Sequence, residues 1–423
     1  MLAALLASAA LAHAQTKHFD CGFGKLPAGA TRLGTGSLYS PATTFGFDLQ
    51  TAPATFTATA CSGDKPFFFS IHEPDGNYRV TVVLGGPEAS TTTIRAESRR
   101  LLLLEKQIPA KSSATAIFVV NVRTADIAGK GTQVKLKPRE IGALDWDDKL
   151  TLEFNGEHPA VRSISITPVT GIPTIYLAGD STVVDQDKEP WAAWGQMLPF
   201  FFTPRIVISN QAESGETLKS FVGELRLDKL MSTIKSGDYL MIQFAHNDQK
   251  PPAGIPAQTV YKDLLRQYIA LARAKGAIPI LVTSMNRRTF DADGKITNSL
   301  ADYPQAMRDV AASEHVALID LNAMSKTLWE AMGPDGTLKA FVHYPANTFP
   351  GEPKELKDDT HFNAYGAYEL ARCVVEAIQR QHLPLAPYLR KDIPAFDPAH
   401  PDSLAAFHVP PSPVISTETP YGR

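Results

Sequence analysis

The sequence predicts an α/β three-layer sandwich built on a parallel sheet, preceded by an all-β sandwich of jelly-roll type. Two patterns carry that expectation. From about residue 19 to 167 the hydrophobic period is two, as in Tyr78-Arg79-Val80-Thr81-Val82 and Ser163-Ile164-Ser165-Ile166, and turn residues separate the short runs. From about residue 174 to 381, apolar runs of strand length alternate with stretches of helical period. Such alternation calls for parallel strands joined by crossover helices on both faces of one sheet. Length agrees, because 423 residues at 44% hydrophobic and 20% charged exceed one hydrophobic core of ordinary size.

The chain opens on a short apolar run, Met1-Leu2-Ala3-Ala4-Leu5-Leu6 through Leu11, closed by Ala12-His13-Ala14 ahead of Gln15. Residues 1–14 therefore read as a signal peptide, although the usual positive n-region is missing, and the expected location is secreted or periplasmic. Residues 15–168 form the expected sandwich. Its strands include Phe67-Phe68-Phe69, Ile117-Phe118-Val119-Val120, Val134-Lys135-Leu136 and Leu150-Thr151-Leu152-Glu153-Phe154, with turns at Pro74-Asp75-Gly76-Asn77 and Gly129-Lys130-Gly131. No helix is expected there. Pro168 to Pro173, with Gly171, reads as a linker.

Residues 174–382 form the expected α/β domain, with strands at Thr174–Leu177, Ile206–Ser209, Tyr239–Phe244, Ile278–Thr283 and Val316–Asp320. Helical stretches follow at Trp191–Phe202, Leu225–Ile234, Val260–Lys275, Tyr303–Glu314 and Ala323–Met332, and a last helix runs from about Ala364 to Gln381. Residues 383–423 are rich in proline and are expected to lie extended on the surface.

A net charge of −3 gives no broad basic field, so nucleic acid is not an expected partner. No stretch reaches transmembrane length, so no membrane partner is expected either. Cys21, Cys61 and Cys373 show no C-x-x-C and no companion histidine spacing, so no metal site is expected. Cys21 and Cys61 could pair in an exported protein, whereas Cys373 reads as a buried thiol on a helix.

In an open parallel sheet, ligands gather at the carboxyl ends of the strands. There the sequence places Gly179-Asp180-Ser181-Thr182, then Asn210-Gln211-Ala212-Glu213-Ser214-Gly215, then Ala245-His246-Asn247-Asp248. Ser181 follows a strand end and a glycine, which predicts a sharp turn with the hydroxyl exposed as a candidate nucleophile. Asp358-Asp359-Thr360-His361 directly precedes the last helix, so a carboxylate and an imidazole share one short loop. An imidazole is the side-chain type suited to act as general base near neutrality, which makes His361 the candidate base, and Asp358 is suited to hold it in the accepting tautomer. The backbone N–H groups of Ser181 and Gly215 and the amide of Asn247 are the candidate donors to a tetrahedral oxyanion. Each residue alone also has an ordinary turn or capping reading; together they make ester hydrolysis the better one. A second Asp-x-x-His, at Asp397 and His400, is set aside because it lies in the proline-rich tail with no helix after it.

These four ordered blocks resemble those of the SGNH (GDSL-type) hydrolases, whose fold is flavodoxin-like. Gly-Asp-Ser-Thr-Val at residues 179–183, Glu189-Pro190-Trp191-Ala192-Ala193-Trp194-Gly195, and Asp359-Thr360-His361-Phe362-Asn363 are similar to the bacterial rhamnogalacturonan acetylesterases. The first domain resembles the galactose-binding-like sandwich that often precedes them. One departure is Ala245, where the third block usually has glycine, which suggests a slightly narrowed oxyanion region.

The resemblance implies a serine carbohydrate esterase that removes O-acetyl groups from a plant cell-wall polysaccharide, most readily pectin rhamnogalacturonan, through an acyl-enzyme and without a cofactor. Trp191 and Trp194 are candidate stacking faces for a sugar ring, and Arg287 and Arg288 candidate partners of a uronate carboxylate. The alternatives are an acetyl xylan esterase, a general short-chain esterase or lipase of the same superfamily, and a non-catalytic polysaccharide-binding protein. An α/β-hydrolase is disfavoured, since no Gly-x-Ser-x-Gly surrounds Ser181 and the acid sits just before the histidine.

Overall fold

Five short apolar strands form the centre of the second half of the chain: β1 (Thr174–Gly179), β2 (Val207–Asn210), β3 (Tyr239–Gln243), β4 (Ile278–Val282) and β5 (Ala317–Ile319). In this computed structural model, which describes residues 15–252 and 254–413, they pair in parallel in the order 2-1-3-4-5. Such strands are buried on both faces, and their side chains divide by alternation. Ile175, Leu177, Met241, Ile280 and Val282 enter one core with the helices Leu321–Thr337 and Ala364–Arg380. Tyr176, Ala178, Leu240, Ile242 and Leu281 enter the other with Leu218–Gly223, Arg226–Thr233, Lys262–Ala274 and Tyr303–Glu314. The three layers follow from that division.

Two facing sheets make up the N-terminal half. One, of seven strands, runs Ala114–Val122, Gly76–Leu84, Ala160–Pro168, Lys17–Asp20, Ala30–Arg32, with Cys61–Ser62 and Thr55–Phe56 paired beside it. The other, of five, runs Phe45–Asp48, Phe67–His72, Lys149–Asn155, Ser90–Ala96, Arg100–Ile108. Alternation again decides the core: Val80, Val82, Ile164 and Ile166 meet Phe69, Ile71, Leu152 and Ile94 between the sheets. A disulfide joins Cys21 to Cys61 within it, and Cys373 is a free, buried thiol.

Several expectations need correction. Val134–Leu136 is not a strand; its backbone is instead taken up along the α/β region, where Lys135 N–H donates to Glu224 O at 3.0 Å. The stretch Trp191–Phe202 holds only one α-helical turn, Trp194–Met197, continued as a 3₁₀ turn Leu198–Phe201, because Pro199 brings no N–H to an α-helical ladder. Leu218–Gly223 is an added helix, capped by Thr217. Asp358 and His361 do not lie in a loop: they belong to the strand Leu356–Phe362, which pairs antiparallel with Phe341–Tyr344.

The proline-rich segment is irregular, but it does not merely lie on the surface. Leu383, Leu385, Leu389 and Phe396 pack into the α/β core, and the chain then crosses to the sandwich. There the Pro410 carbonyl accepts from Arg95, and Ser412 Oγ bridges Arg95 and Glu153, an ion pair 2.7 Å apart and 2% exposed on both sides. Apolar side chains spaced among the prolines, and a buried ion pair with spare hydrogen-bonding capacity, account for the docking. The predicted signal peptide, residues 1–14, lies outside the described residues. Among the described residues no helix is long and apolar enough to cross a membrane.

Candidate active site

The end of β1 sets the geometry. Gly179 leaves no room for a side chain, since a Cβ there would stand 2.5 Å from Val183 and 3.1 Å from the Gln243 carbonyl. Asp180 then stabilises the turn: its Oδ1 accepts from Thr182 N–H at 2.9 Å and Thr182 Oγ1 at 2.7 Å, while its carbonyl accepts from Val183 and Val184 N–H. Ser181, which the sequence led us to expect exposed, is only 3% exposed. The loops that follow β2 and β3 and the hairpin strand Leu356–Phe362 close around it.

Ser181 Oγ lies 2.8 Å from His361 Nε2, and His361 Nδ1 lies 2.8 Å from Asp358 Oδ2. Strand pairing passes from Val342–Asp358 to Phe341–Phe362, so Asp359–His361 bulge out of the hairpin. The bulge turns the N–H groups of Thr360 and His361 back onto Asp358 Oδ1 at 2.9 and 3.0 Å. Trp191 Nε1–H adds a longer contact of 3.4 Å to Oδ2. Burial pushes the Asp358 carboxyl up, but His361 and the two backbone donors outweigh it and hold it well below the usual carboxylate range. An ionised Asp358 requires the proton on Nδ1 of a neutral His361, which leaves Nε2 as acceptor for the serine hydroxyl.

Neither Ser181 N–H nor Gly215 N–H meets an acceptor among the described residues. Gly215 has φ +81°, a conformation that favours glycine. Asn247 Nδ2 donates one hydrogen to Glu216 O at 3.0 Å, which orients the amide and keeps its second hydrogen for another acceptor. Ala245, one residue before His246, is buried in the core cluster that also holds Phe244.

Substrate contacts fare differently. Trp191 and Trp194 are 0% and 1% exposed, so neither offers a stacking face. Trp194 Nε1–H donates to Gln243 Oε1 at 2.8 Å, and Gln243 in turn donates to Thr182 Oγ1 at 2.7 Å, bracing the serine turn from below. Arg288 is engaged with Asp359 at 3.1 Å and with the Pro334 carbonyl. Arg287 stands between the His246 carbonyl (3.2 Å) and Thr360 Oγ1 (3.2 Å), adjacent to both Asn247 and His361. Asp397 and His400 make their own 2.8 Å contact, with both side chains largely in solvent.

Sequence reasoning missed the groups that hold these loops from the N-terminal half. Arg99 donates to the carbonyls of Gln186 and Trp191 at 3.1 and 2.7 Å and pairs with Glu189, while Gln186 Nε2–H donates to Ser181 O at 2.8 Å. Lys137 and Arg139 reach the loop that carries Gly215. The charged run Lys137-Pro138-Arg139-Glu140 was visible, but nothing local in it points to a site more than 70 residues onward.

Asp248 yields a pH prediction. Burial pushes its carboxyl up to about 8; Oδ1 accepts from Leu218 N–H and Oδ2 has no hydrogen-bond partner among the described residues. The folded chain therefore keeps this proton between about pH 4 and 8 while the unfolded chain releases it, and the group's contribution to stability falls as pH rises through that window. Asp248→Asn removes the titration. Its Tm relative to the parent is expected to climb by several degrees from about pH 5 to 8; a difference that stays constant in thermal scans would reject the assignment.

The 2-1-3-4-5 sheet and a Ser–His–Asp array at the carboxyl ends of its strands define a serine hydrolase of the SGNH type. Residues 177–368 match the GDSL-like lipase/acylhydrolase family. The chain belongs to that family and is a carboxylic ester hydrolase. It is 42% identical over 217 residues to the rhamnogalacturonan acetylesterase RhgT of Bacillus subtilis, covering 51% of this chain and 93% of that protein. A probable rhamnogalacturonan acetylesterase of the same organism, YesY, is 36% identical over 52% of this chain and 98% of its own length. The uncharacterized esterase YxiM of B. subtilis is 28% identical over 383 residues, covering 86% of this chain and 90% of that protein.

Proposed function

We propose that the protein is a serine carbohydrate esterase that removes O-acetyl groups from a plant cell-wall polysaccharide, with pectin rhamnogalacturonan as the favoured substrate. The observation that carries this reading is the hydrogen-bonded chain Ser181–His361–Asp358, with the backbone N–H groups of Ser181 and Gly215 meeting no acceptor among the described residues. His361 Nε2 takes the serine proton as Oγ attacks the acetyl carbonyl, and Asp358 stabilises the imidazolium. The tetrahedral oxyanion forms between Ser181 N–H, Gly215 N–H and Asn247 Nδ2, and collapses to acetyl-Ser181 as His361 gives its proton to the departing sugar oxygen, which leaves as the free hydroxyl. Water, deprotonated by His361, then releases acetate. The depth of Ser181 favours a small acyl group, and the two relatives named as rhamnogalacturonan acetylesterases support the polysaccharide.

The two antiparallel-rich sheets around one core support a galactose-binding-like jelly roll, and the buried Cys21–Cys61 disulfide supports a secreted or periplasmic location. Acetate release from acetylated rhamnogalacturonan, beside acetylated xylan and a chromogenic acetate, tests the substrate. The pectic polymer is expected to show the highest kcat/KM; a clear preference for xylan, or for the small ester alone, would assign the protein to another esterase class.

Asn247→Ala is expected to lower kcat by about 10²–10³ with a much smaller change in KM, because the amide donates its second hydrogen to a charge that exists only in the transition state. A lower Tm with unchanged kcat per folded molecule would remove Asn247 from the mechanism.

A further inference from the structure

The oxyanion hole of the hydrolase reading, on which this inference rests, includes the peptide that joins Ser214 to Gly215. Its N–H meets no acceptor among the described residues, while its carbonyl, on the opposite edge of the same planar amide, accepts from Lys137 Nζ at 2.7 Å. Lys137 lies outside the family-matched segment, in the N-terminal half, on the connection that precedes the sandwich strand Lys149–Asn155. We propose that Lys137 is a positioning residue of the esterase: its ammonium locks the Ser214–Gly215 peptide with its N–H toward the oxyanion and polarises that peptide into a stronger donor.

Gly215, at φ +81°, lacks the Cβ that would restrict rotation of this peptide, so its orientation has to come from outside contacts. Lys137 supplies one at the atom that matters. A charge-assisted bond to the peptide oxygen draws electron density from the nitrogen, which strengthens the bond its hydrogen makes on the far side. Lys137 also pairs with the Glu216 carboxylate, and the Glu216 carbonyl is the acceptor that orients Asn247, so one ammonium steadies two of the three oxyanion donors. The lysine is itself held: its backbone N–H donates to Glu140 Oε2 at 2.8 Å, and Arg226 grips the Glu140 carboxylate with both terminal nitrogens. Arg139 secures the other flank of the loop through Glu213, at 2.7 Å from Nε.

Full-length Lys137→Met and Lys137→Gln, beside the parent and Ser181→Ala, test this with a chromogenic acetate. Tm is measured on each, and a fluorophosphonate titrates reactive serines. Lys137→Met is expected to lower kcat per titrated site about 10–100-fold with KM within about threefold, and to slow phosphonylation in parallel, since the phosphoryl oxygen occupies the same hole. Lys137→Gln keeps a neutral donor and should recover part of the loss. A merely structural lysine would lower Tm and the number of titratable sites while kcat per site stayed within threefold of the parent, and that result overturns the proposal. If Lys137→Met does not fold, the glutamine variant decides: a fall in kcat beyond threefold at constant KM supports the role, and parental kcat rejects it. A parent without turnover, or turnover surviving in Ser181→Ala, would instead remove the hydrolase reading and this inference with it.

Discussion

Purified Ser181→Ala is expected to lose acetate release by about 10⁵-fold or more while remaining folded, the scale on which serine hydrolases respond to loss of the nucleophile. The covalent step needs an oxygen 2.8 Å from His361 Nε2, and among the described residues no other hydroxyl is hydrogen-bonded to that nitrogen. What remains is the oxyanion hole acting on bound ester and water. The fold should hardly respond. Removing the hydroxyl leaves the small turn around Asp180 in place and costs one buried hydrogen bond, about 1 kcal/mol. Acetate release and far-UV circular dichroism on one preparation check both halves of the expectation. Turnover within tenfold of the parent would reject Ser181 as nucleophile.

The second large effect separates two histidines that each follow an aspartate by three residues. His361→Ala is expected to lower kcat by several orders of magnitude, and His400→Ala to leave it within a factor of about two. Each imidazole accepts the company of an aspartate three residues earlier, with Nδ1 2.8 Å from the carboxylate in both cases. Only His361 presents its other nitrogen to a serine. Asp358→Asn should be damaging too, because an amide cannot stabilise the imidazolium, yet less so than loss of the base itself. Initial rates of the three variants give the ranking directly, and a larger loss in His400→Ala than in His361→Ala would overturn the choice of base.

The pattern of β1 to β5 and their helices was legible because buried parallel strands must be continuous apolar runs and amphipathic helices must repeat near 3.6. The run Tyr239–Gln243 and the helix Tyr303–Glu314 illustrate how closely such runs set their own limits. The hairpin strand Phe341–Tyr344 was not legible: it is four residues long, and its partnership with Leu356–Phe362 is non-local. Trp191 and Trp194 were misread for a related reason. A tryptophan at the start of a helix has the same sequence signature whether it faces a ligand or, as here, donates to Asp358 or Gln243 from a buried position.

The sequence by itself determined the order of the blocks and the chemical identity of Ser181, His361, Asp358, Gly215 and Asn247, because covalent order places Ser181, Gly215 and Asn247 after the first three strands of the sheet and Asp358 and His361 just before the last helix. It also placed an aspartate three residues before each of two histidines, and both pairs, at His361 and at His400, form the Asp–His bond. Tertiary structure alone decided which histidine meets the serine, 180 residues away, and that Arg99, Lys137 and Arg139 from the N-terminal half grip the loops of the site. The physical reason is that such contacts depend on how two cores pack together, and no local period or propensity encodes the distance between residues brought together only by that packing.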